Sequence, residues 1–214
     1  LLCYTSTINK LEYNTVVQLV NGIGFNDRKY PCWTDDRRTP EYATWQDMLL
    51  RCTDKFQAKY PTYLGTACSD NFKVSSYFHE WCHEQIGFGN KDENGKSWCL
   101  DKDLLIFGNK LYSEDTCVFV PHRINLLLVK SNASRGEFPI GVCFDNRDNR
   151  FYARCNNGSG KMKSLGGYTN KEDAFQAYKV FKEGFVKQVA EEYKCQIDQR
   201  VYQALLNYTV EITD

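Results

Sequence analysis

Residues 140–155 read I-G-V-C-F-D-N-R-D-N-R-F-Y-A-R-C, and residues 161–165 read K-M-K-S-L. Apolar and polar residues alternate through Ile140–Phe144, Phe151–Cys155 and Lys161–Leu165, a pattern typical of short strands with one buried face. The intervening runs D-N-R-D-N and N-N-G-S-G contain the residue types that form turns. This stretch therefore predicts a three-stranded antiparallel sheet.

A helix is predicted directly after the third strand. Thr169 can cap its first turn, and Glu172 follows at the spacing of a capping box. Spacings of three and four then give one apolar face, formed by Ala174, Ala177, Tyr178, Phe181 and Phe185. We expect this helix to cover one face of the sheet and to leave the other face free. The small, polar run Ser131–Gly136 is predicted to be a linker in front of the sheet.

Three further helices are predicted elsewhere in the chain. One helix begins near Pro40-Glu41, with the inward residues Tyr42, Trp45, Met48, Leu49 and Cys52. A second spans Val74–Gln85, with Phe72, Tyr77, Phe78, Trp81 and Cys82 facing inward. A last helix is predicted over Gln196–Asn207. The predicted fold class is α+β, with one domain over residues 1–130 and a second over 131–214.

Composition restricts the class of protein. The 214 residues are 42% hydrophobic and have a formal net charge of zero, which excludes a disordered chain and a uniformly basic one. The longest apolar runs, such as Val16–Val20, are too short to span a bilayer, and no signal-peptide pattern opens the sequence. Ten cysteines are present without any C-x-x-C pair, which favours reduced thiols in an intracellular protein.

The second strand carries a basic and aromatic face. Alternation places Arg150, Tyr152 and Arg154 on one side of it, and Arg147 lies in the preceding turn. Lys161 and Lys163 share one face of the third strand. A ribbon of this kind suits the major groove of double-stranded DNA, with arginine reading guanine and the other residues holding phosphates. An ordinary solvated sheet face is the alternative.

Four short motifs in this region resemble an AP2 (ERF-type) DNA-binding domain. They are Gly141-Val142, Tyr152–Arg154, the Leu165–Tyr168 turn and the Glu172–Tyr178 helix segment. The resemblance covers about residues 135–190. It implies a three-stranded sheet, packed on a helix, that docks in the DNA major groove.

The stretch Leu100–Asn125 resembles the ββα-metal element of bacteriophage HNH homing endonucleases that carry a C-terminal AP2 domain. Gly22–Asn26 and Trp45–Cys52 extend the resemblance upstream. It implies that Asp101 holds Mg²⁺ or another divalent cation and that Asn125 closes the motif. Two positions depart from the family pattern: Lys102 replaces the general-base histidine, and Thr116 replaces the metal-binding asparagine. A lysine is a poor base at neutral pH, but it can neutralise a phosphate.

These departures leave several functions open. In the first case the stretch is a site that cleaves or nicks DNA, formed by Asp101, Lys102, Asp103 and Asn125. In the second case it is a degenerate, structural hairpin, and its solvated charges are Asp101, Lys102 and Asp103. In the second case the protein is a non-catalytic DNA-binding regulator of a phage, or a phage protein that inhibits a host enzyme or defence system, acting in the host cytoplasm. The partners are then double-stranded DNA or a host protein, and no membrane.

Two further groups of residues contain metal-ligating side chains. Cys52, Cys68, Cys99 and Cys117 suffice in number for a structural zinc, but they are far apart in sequence, and buried thiols packed as small hydrophobic groups are favoured. The run His79–His83, H-E-W-C-H, matches the metalloprotease signature H-E-x-x-H. No third ligand is apparent in the sequence, so a protease is not favoured.

Overall fold

A computed structural model describes residues 18–129, 136–157 and 161–214, and these ranges form an α+β fold. The helices are α1 (Pro40–Arg51), α2 (Asp54–Lys59), α3 (Ser75–Glu84), α4 (His122–Leu127), α5 (Lys171–Tyr193) and α6 (Gln199–Leu206). The strands are β1 (Trp33–Thr34), β2 (Arg37–Arg38), β3 (Ala67–Cys68), β4 (Cys99–Asp101), β5 (Leu111–Tyr112), β6 (Val118–Val120), β7 (Val142–Asp145), β8 (Arg150–Asn156) and β9 (Met162–Tyr168). The predicted α+β class is confirmed.

The described strands form four small sheets. β1 pairs with β2, and β4 pairs with β6, both antiparallel. β3 pairs with β5 in parallel. The fourth sheet is antiparallel in the order β7-β8-β9, as the alternating sequence predicts.

Helices α1 and α3 confirm the predicted helical segments of the N-terminal part. Thr39 caps α1 by accepting the Tyr42 N–H, Pro40 takes the first helical position, and Trp45, Met48 and Leu49 are buried. In α3, Phe78, Trp81 and Cys82 are buried. The expectation that Tyr77 faces inward is wrong, since Tyr77 is 38% exposed. Tyr77 directly precedes the buried Phe78, and neighbouring positions of a helix point in different directions.

The third strand of the β7-β8-β9 sheet is longer than predicted. The run Leu165–Tyr168, expected as a turn, belongs to β9, where Gly166 pairs with Ala153 and Ser164 pairs with Arg154. Leu165 is therefore an extra residue opposite the Ala153–Arg154 step, which makes it a β-bulge. Gly166 follows the bulge with a φ of +125°.

Helix α5 begins one residue later than predicted. Its N-cap is Asn170, whose Oδ1 accepts the Asp173 N–H at 2.7 Å, and not Thr169. Because β9 continues to Tyr168, the chain is still extended at Asn170, and the first helical residue is Lys171. An asparagine side chain caps a helix as well as a threonine does.

The described residues form two apolar cores, and α5 contributes to both. Its first half, with Ala174, Phe175 and Tyr178, packs on Ala153 and Cys155 of β8. Its second half and α6 pack into the larger core around α1, α3 and β6 through Val186, Val189, Ala190, Val201 and Leu205. The division into residues 1–130 and 131–214 stays a prediction, and the larger core draws on both sides of it.

Lys182 joins α5 to the end of α4. It is almost fully buried, and its Nζ donates to the main-chain oxygen of Leu127 at 2.6 Å. Most of the predicted linker lies outside the described residues. None of the helices in the described ranges has the length and apolarity needed to cross a bilayer.

Candidate functional site

The sheet of β7, β8 and β9 has one covered and one open face. Ala153 and Cys155 point to α5 and are buried, whereas Arg150 and Arg154 alternate with them and are exposed. Tyr152 shares the open side with the two arginines, as the strand pattern predicts. We call Arg150, Tyr152, Arg154 and Ser164, which pairs with Arg154, the open sheet face.

The two arginines of the open sheet face are available for an external partner. Among the described residues, neither the Arg150 nor the Arg154 guanidinium lies within ion-pair distance of a carboxylate. The Arg154 guanidinium lies 6.0 Å from the ring centroid of Tyr152. The Tyr152 hydroxyl donates to Asp148 Oδ2 at 2.6 Å, and this hydrogen bond holds the Tyr152 ring in one orientation.

Arg147 and Lys163 do not extend this face as expected. Arg147 lies in the β7–β8 turn and pairs with Asp145 at 3.2 Å, so its charge is partly neutralised. Lys163 pairs with Cys155 and therefore lies on the helix side of the sheet, where its Nζ is 4.8 Å from the ring centroid of Phe181. Lys163 is predicted among the DNA-binding residues, but its pairing with Cys155 places it on the face of the sheet opposite to Arg154. Lys161 precedes β9 and is exposed.

The central stretch forms a strand–strand–helix unit. β4 pairs with β6 so that Asp101 faces Val118, and α4 follows β6 directly. The connection is not a simple hairpin, because β5 leaves it to pair with β3. His122, the first residue of α4, places Nδ1 3.7 Å from Cys99 Sγ.

Asp101 is the last residue of β4 and is largely enclosed. Its Oδ1 accepts the main-chain N–H groups of Asp103 and Leu104, each at 2.8 Å. The pKa of Asp101 is raised to about 6. The main cause is burial of the carboxylate, and the second cause is the negative charge of the nearby Asp103. The carboxylate therefore holds the turn that follows β4, and one of its oxygens has two donors already.

The Lys102 side chain is directed into the protein. Its exposed fraction is 6%, and its Nζ lies 3.2 Å from Asp103 Oδ2. Two aromatic rings flank the ammonium group: Nζ lies 5.9 Å from the ring centroid of Tyr63 and 5.7 Å from that of Tyr112. Lys102 and Asp103 thus form a salt bridge. The alternative expectation that Lys102 is a solvated charge is wrong, because the side chain is buried between distant parts of the chain.

The other two motif positions have different environments. Thr116 is buried, and its Oγ1 donates to the Leu111 carbonyl at 2.8 Å and accepts the Ser113 N–H at 3.2 Å. It stabilises a turn. Asn125 is half-buried in α4, where its N–H donates to the Pro121 carbonyl at 3.1 Å.

The four cysteines that suffice in number for zinc do not form a metal site among the described residues. Within the described ranges, no three ligand atoms of Cys52, Cys68, Cys99 and Cys117 lie within 4.8 Å of one another. A hydrogen bond to Cys68, together with burial, raises the pKa of the Cys52 thiol. Cys68 and Cys117 are part of the larger apolar core.

A cluster that the sequence did not reveal joins α1 to α3. Glu41, His79 and His83 each offer a ligand atom, and these atoms all lie within 4.8 Å of one another; no other such group occurs among the described residues. His83 Nε2 is 2.9 Å from Glu41 Oε1. Burial lowers the pKa of His79, which favours its neutral imidazole. We call these three residues the Glu–His–His cluster.

The acidic residue inside H-E-W-C-H is directed away from this cluster. Glu80 Oε1 accepts from Lys29 Nζ at 2.6 Å and from the Tyr30 hydroxyl at 3.1 Å. The Tyr30 ring stacks on His79 with 3.8 Å between centroids. A metalloprotease needs this glutamate as its general base next to the metal, so the arrangement does not fit that activity.

Comparisons with known protein families, with curated proteins and with solved structures found no match to this chain. The comparisons therefore assign neither a protein family nor a functional class to this chain. The resemblances to HNH and AP2 proteins rest on the motifs alone.

Proposed function

We propose that this protein binds double-stranded DNA through the open sheet face. The observation that carries the proposal is the exposed pair Arg150 and Arg154, on the side of the sheet that α5 leaves uncovered. The major groove admits a two-stranded β-ribbon, and β-sheet proteins read DNA through their strands. Arginine bound to guanine is the commonest specific contact there.

The geometry of β8 supports this use of the face. Residues of a strand rise by about 3.3 Å each, so the backbones of Arg150 and Arg154 are about 13 Å apart along β8, on the same side of the sheet. Tyr152 lies between the arginines, and its hydroxyl is fixed by Asp148. Because Tyr152 is already held, its ring loses little side-chain freedom on binding, which favours affinity.

Local charge supports the proposal as well. The chain as a whole has a formal net charge of zero, so a general electrostatic attraction to DNA is absent. Binding must then depend on local clusters, and Arg150 and Arg154 form one on the open sheet face. Asp145 and Asp148 limit this field, so we expect moderate affinity that falls with salt.

The test is direct titration of a fluorescent duplex of mixed sequence with the full chain at several salt concentrations. DNA binding predicts saturable binding whose logarithmic affinity falls linearly with the logarithm of the salt concentration. An absence of duplex binding at low salt would refute the proposed function.

A second candidate is metal-dependent DNA cleavage at Asp101, and the order β4, β6, α4 favours it. The enclosed carboxylate would hold Mg²⁺ through the oxygen that has no main-chain donor, and the cation would activate water. Lys102 would not serve as the base, because its ammonium group is paired with Asp103. Incubation with supercoiled plasmid and Mg²⁺ or Mn²⁺ tests this candidate. Nicking that is lost in Asp101→Asn supports it, and unchanged plasmid contradicts it.

A further inference from the structure

We propose that Glu41, His79 and His83 form a binding site for Zn²⁺, independent of DNA binding and of Asp101. The three ligands come from two packed helices: Glu41 from the first turn of α1, and both histidines from α3. The spacing of four residues places His79 and His83 on one side of α3. The site would therefore clamp α1 to α3.

The distances suit a metal after only small side-chain movements. Zinc bonds of about 2.0–2.2 Å at tetrahedral angles separate neighbouring ligand atoms by about 3.3–3.6 Å. The ligand atoms of the cluster lie within 4.8 Å of one another, and the His83–Glu41 pair is at 2.9 Å. One pair must open by a few tenths of an ångström, and the others must close by at most about 1.5 Å.

The donor set selects the class of metal. Two imidazoles and one carboxylate suit zinc and its neighbours in the transition series, whereas Mg²⁺ prefers oxygen ligands and keeps its waters. Three protein ligands leave a fourth position open. That position faces solvent on the His83 side, because the His83 side chain is 55% exposed whereas that of Glu41 is 13% exposed.

The surroundings hold the ligands in place. His79 is fixed by its stack on Tyr30, and the His83 ring contacts Phe88 edge to face at 5.3 Å. Among the described residues, no hydrogen bond occupies the ring nitrogens of His79. A metal would bind one of these free nitrogens of His79, together with His83 Nε2 and Glu41 Oε1, which are 2.9 Å apart.

The experiment is isothermal titration of the full chain with ZnCl₂ alone, under reducing conditions without chelator. We expect one equivalent to bind to the wild-type chain, and His83→Gln to weaken binding at least about tenfold, since even residues outside the first coordination sphere cost about that much. His79→Gln should do the same. Because His83 is exposed, its variant is expected to keep the fold, which circular dichroism checks. Bound Zn²⁺ should also raise the Tm of the wild-type chain but not that of His83→Gln.

Two matched variants separate this site from adventitious binding. Glu80→Gln removes a neighbouring carboxylate and His122→Gln removes the remaining histidine, and both should bind Zn²⁺ within about twofold of the wild-type chain. Co²⁺ provides a spectroscopic check, because thiolate ligation gives a near-ultraviolet charge-transfer band that histidine and carboxylate ligands do not. Absence of binding to the wild-type chain, equal affinity in His83→Gln, or a thiolate band with Co²⁺ would each overturn the proposal.

Discussion

Gly141 and Tyr178 are in direct contact: a β-carbon on Gly141 would lie 2.0 Å from the ring carbon Cδ2 of Tyr178. Gly141 also has a φ of +78°, in the left-handed region that side chains disfavour. The start of β7 can therefore pass under α5 only where the sequence has glycine. The two residues come from separate motifs of the AP2 resemblance, and in this structure they pack against each other.

Gly141→Ala should destabilise the protein by about 3 kcal/mol, combining about 1–2 kcal/mol of backbone strain with the cost of overpacking. Chemical denaturation of the full chain measures this loss. Gly184→Ala is the matched control, because Gly184 lies within α5 and has no atom within 4 Å of the added carbon. It should stabilise the protein by about 0.5–1 kcal/mol. Equal effects of the two substitutions would contradict the packing described for Gly141.

The capping residue of α5 gives a second prediction. Asn170→Ala removes the acceptor of the Asp173 N–H and should cost about 1 kcal/mol of unfolding free energy. Thr169→Ala, one residue earlier, should change stability by less than about 0.5 kcal/mol. Thermal unfolding of both variants decides the matter. A larger loss for Thr169→Ala would restore the cap predicted from the sequence.

Asp101 gives a prediction on pH. Its pKa rises from an ordinary 3.8 to about 6 in the folded protein, so folding is penalised while the carboxyl is ionised. The penalty is fully present above the folded pKa, at most about 3 kcal/mol, and it disappears as the pH falls from 6 towards 4. Asp101→Asn keeps an oxygen acceptor and removes the charge. The variant should be more stable than the wild-type chain at pH 7.5, and the difference should shrink below pH 5.

Denaturant unfolding curves at several pH values measure this difference. A variant that is less stable than the wild-type chain at pH 7.5 would contradict the account of Asp101 as a penalised, buried carboxylate. A difference that does not change with pH would contradict its raised pKa.

The sequence predicted the helices and strands better than it predicted the positions of individual side chains. The alternation of residue types predicted that Arg150 and Arg154 lie on one face of the strand and Ala153 on the other. That prediction is reliable because side chains of a strand alternate with a fixed period of two. It could not place Lys163, since the bulge at Leu165 shifts the register between β8 and β9. A bulge depends on pairing across the sheet, which a single strand does not specify.

The Glu–His–His cluster could be predicted only in part. H-E-W-C-H placed His79 and His83 on one side of a helix, and Pro40-Glu41 correctly marked the start of another. Nothing local indicated that the two helices bring Glu41 to the histidines, because that contact depends on packing of Trp45 and Leu49 in the larger core. The same limit applied to Lys102, whose burial between Tyr63 and Tyr112 arises from distant parts of the chain.

The central claim is DNA binding by the open sheet face, and one measurement tests it most directly. Fluorescence anisotropy with a mixed-sequence duplex would compare the wild-type chain, the double variant Arg150→Ala/Arg154→Ala and the control Lys163→Ala/Lys187→Ala over a range of salt. The control removes the same charge from Lys163, on the helix side of the sheet, and from Lys187, an exposed residue of α5. We predict that the arginine variant binds at least about tenfold more weakly, with a salt slope smaller by about 2, and that the control stays close to the wild-type chain. An arginine variant with unchanged affinity and slope, or a control that loses as much, would contradict the claim.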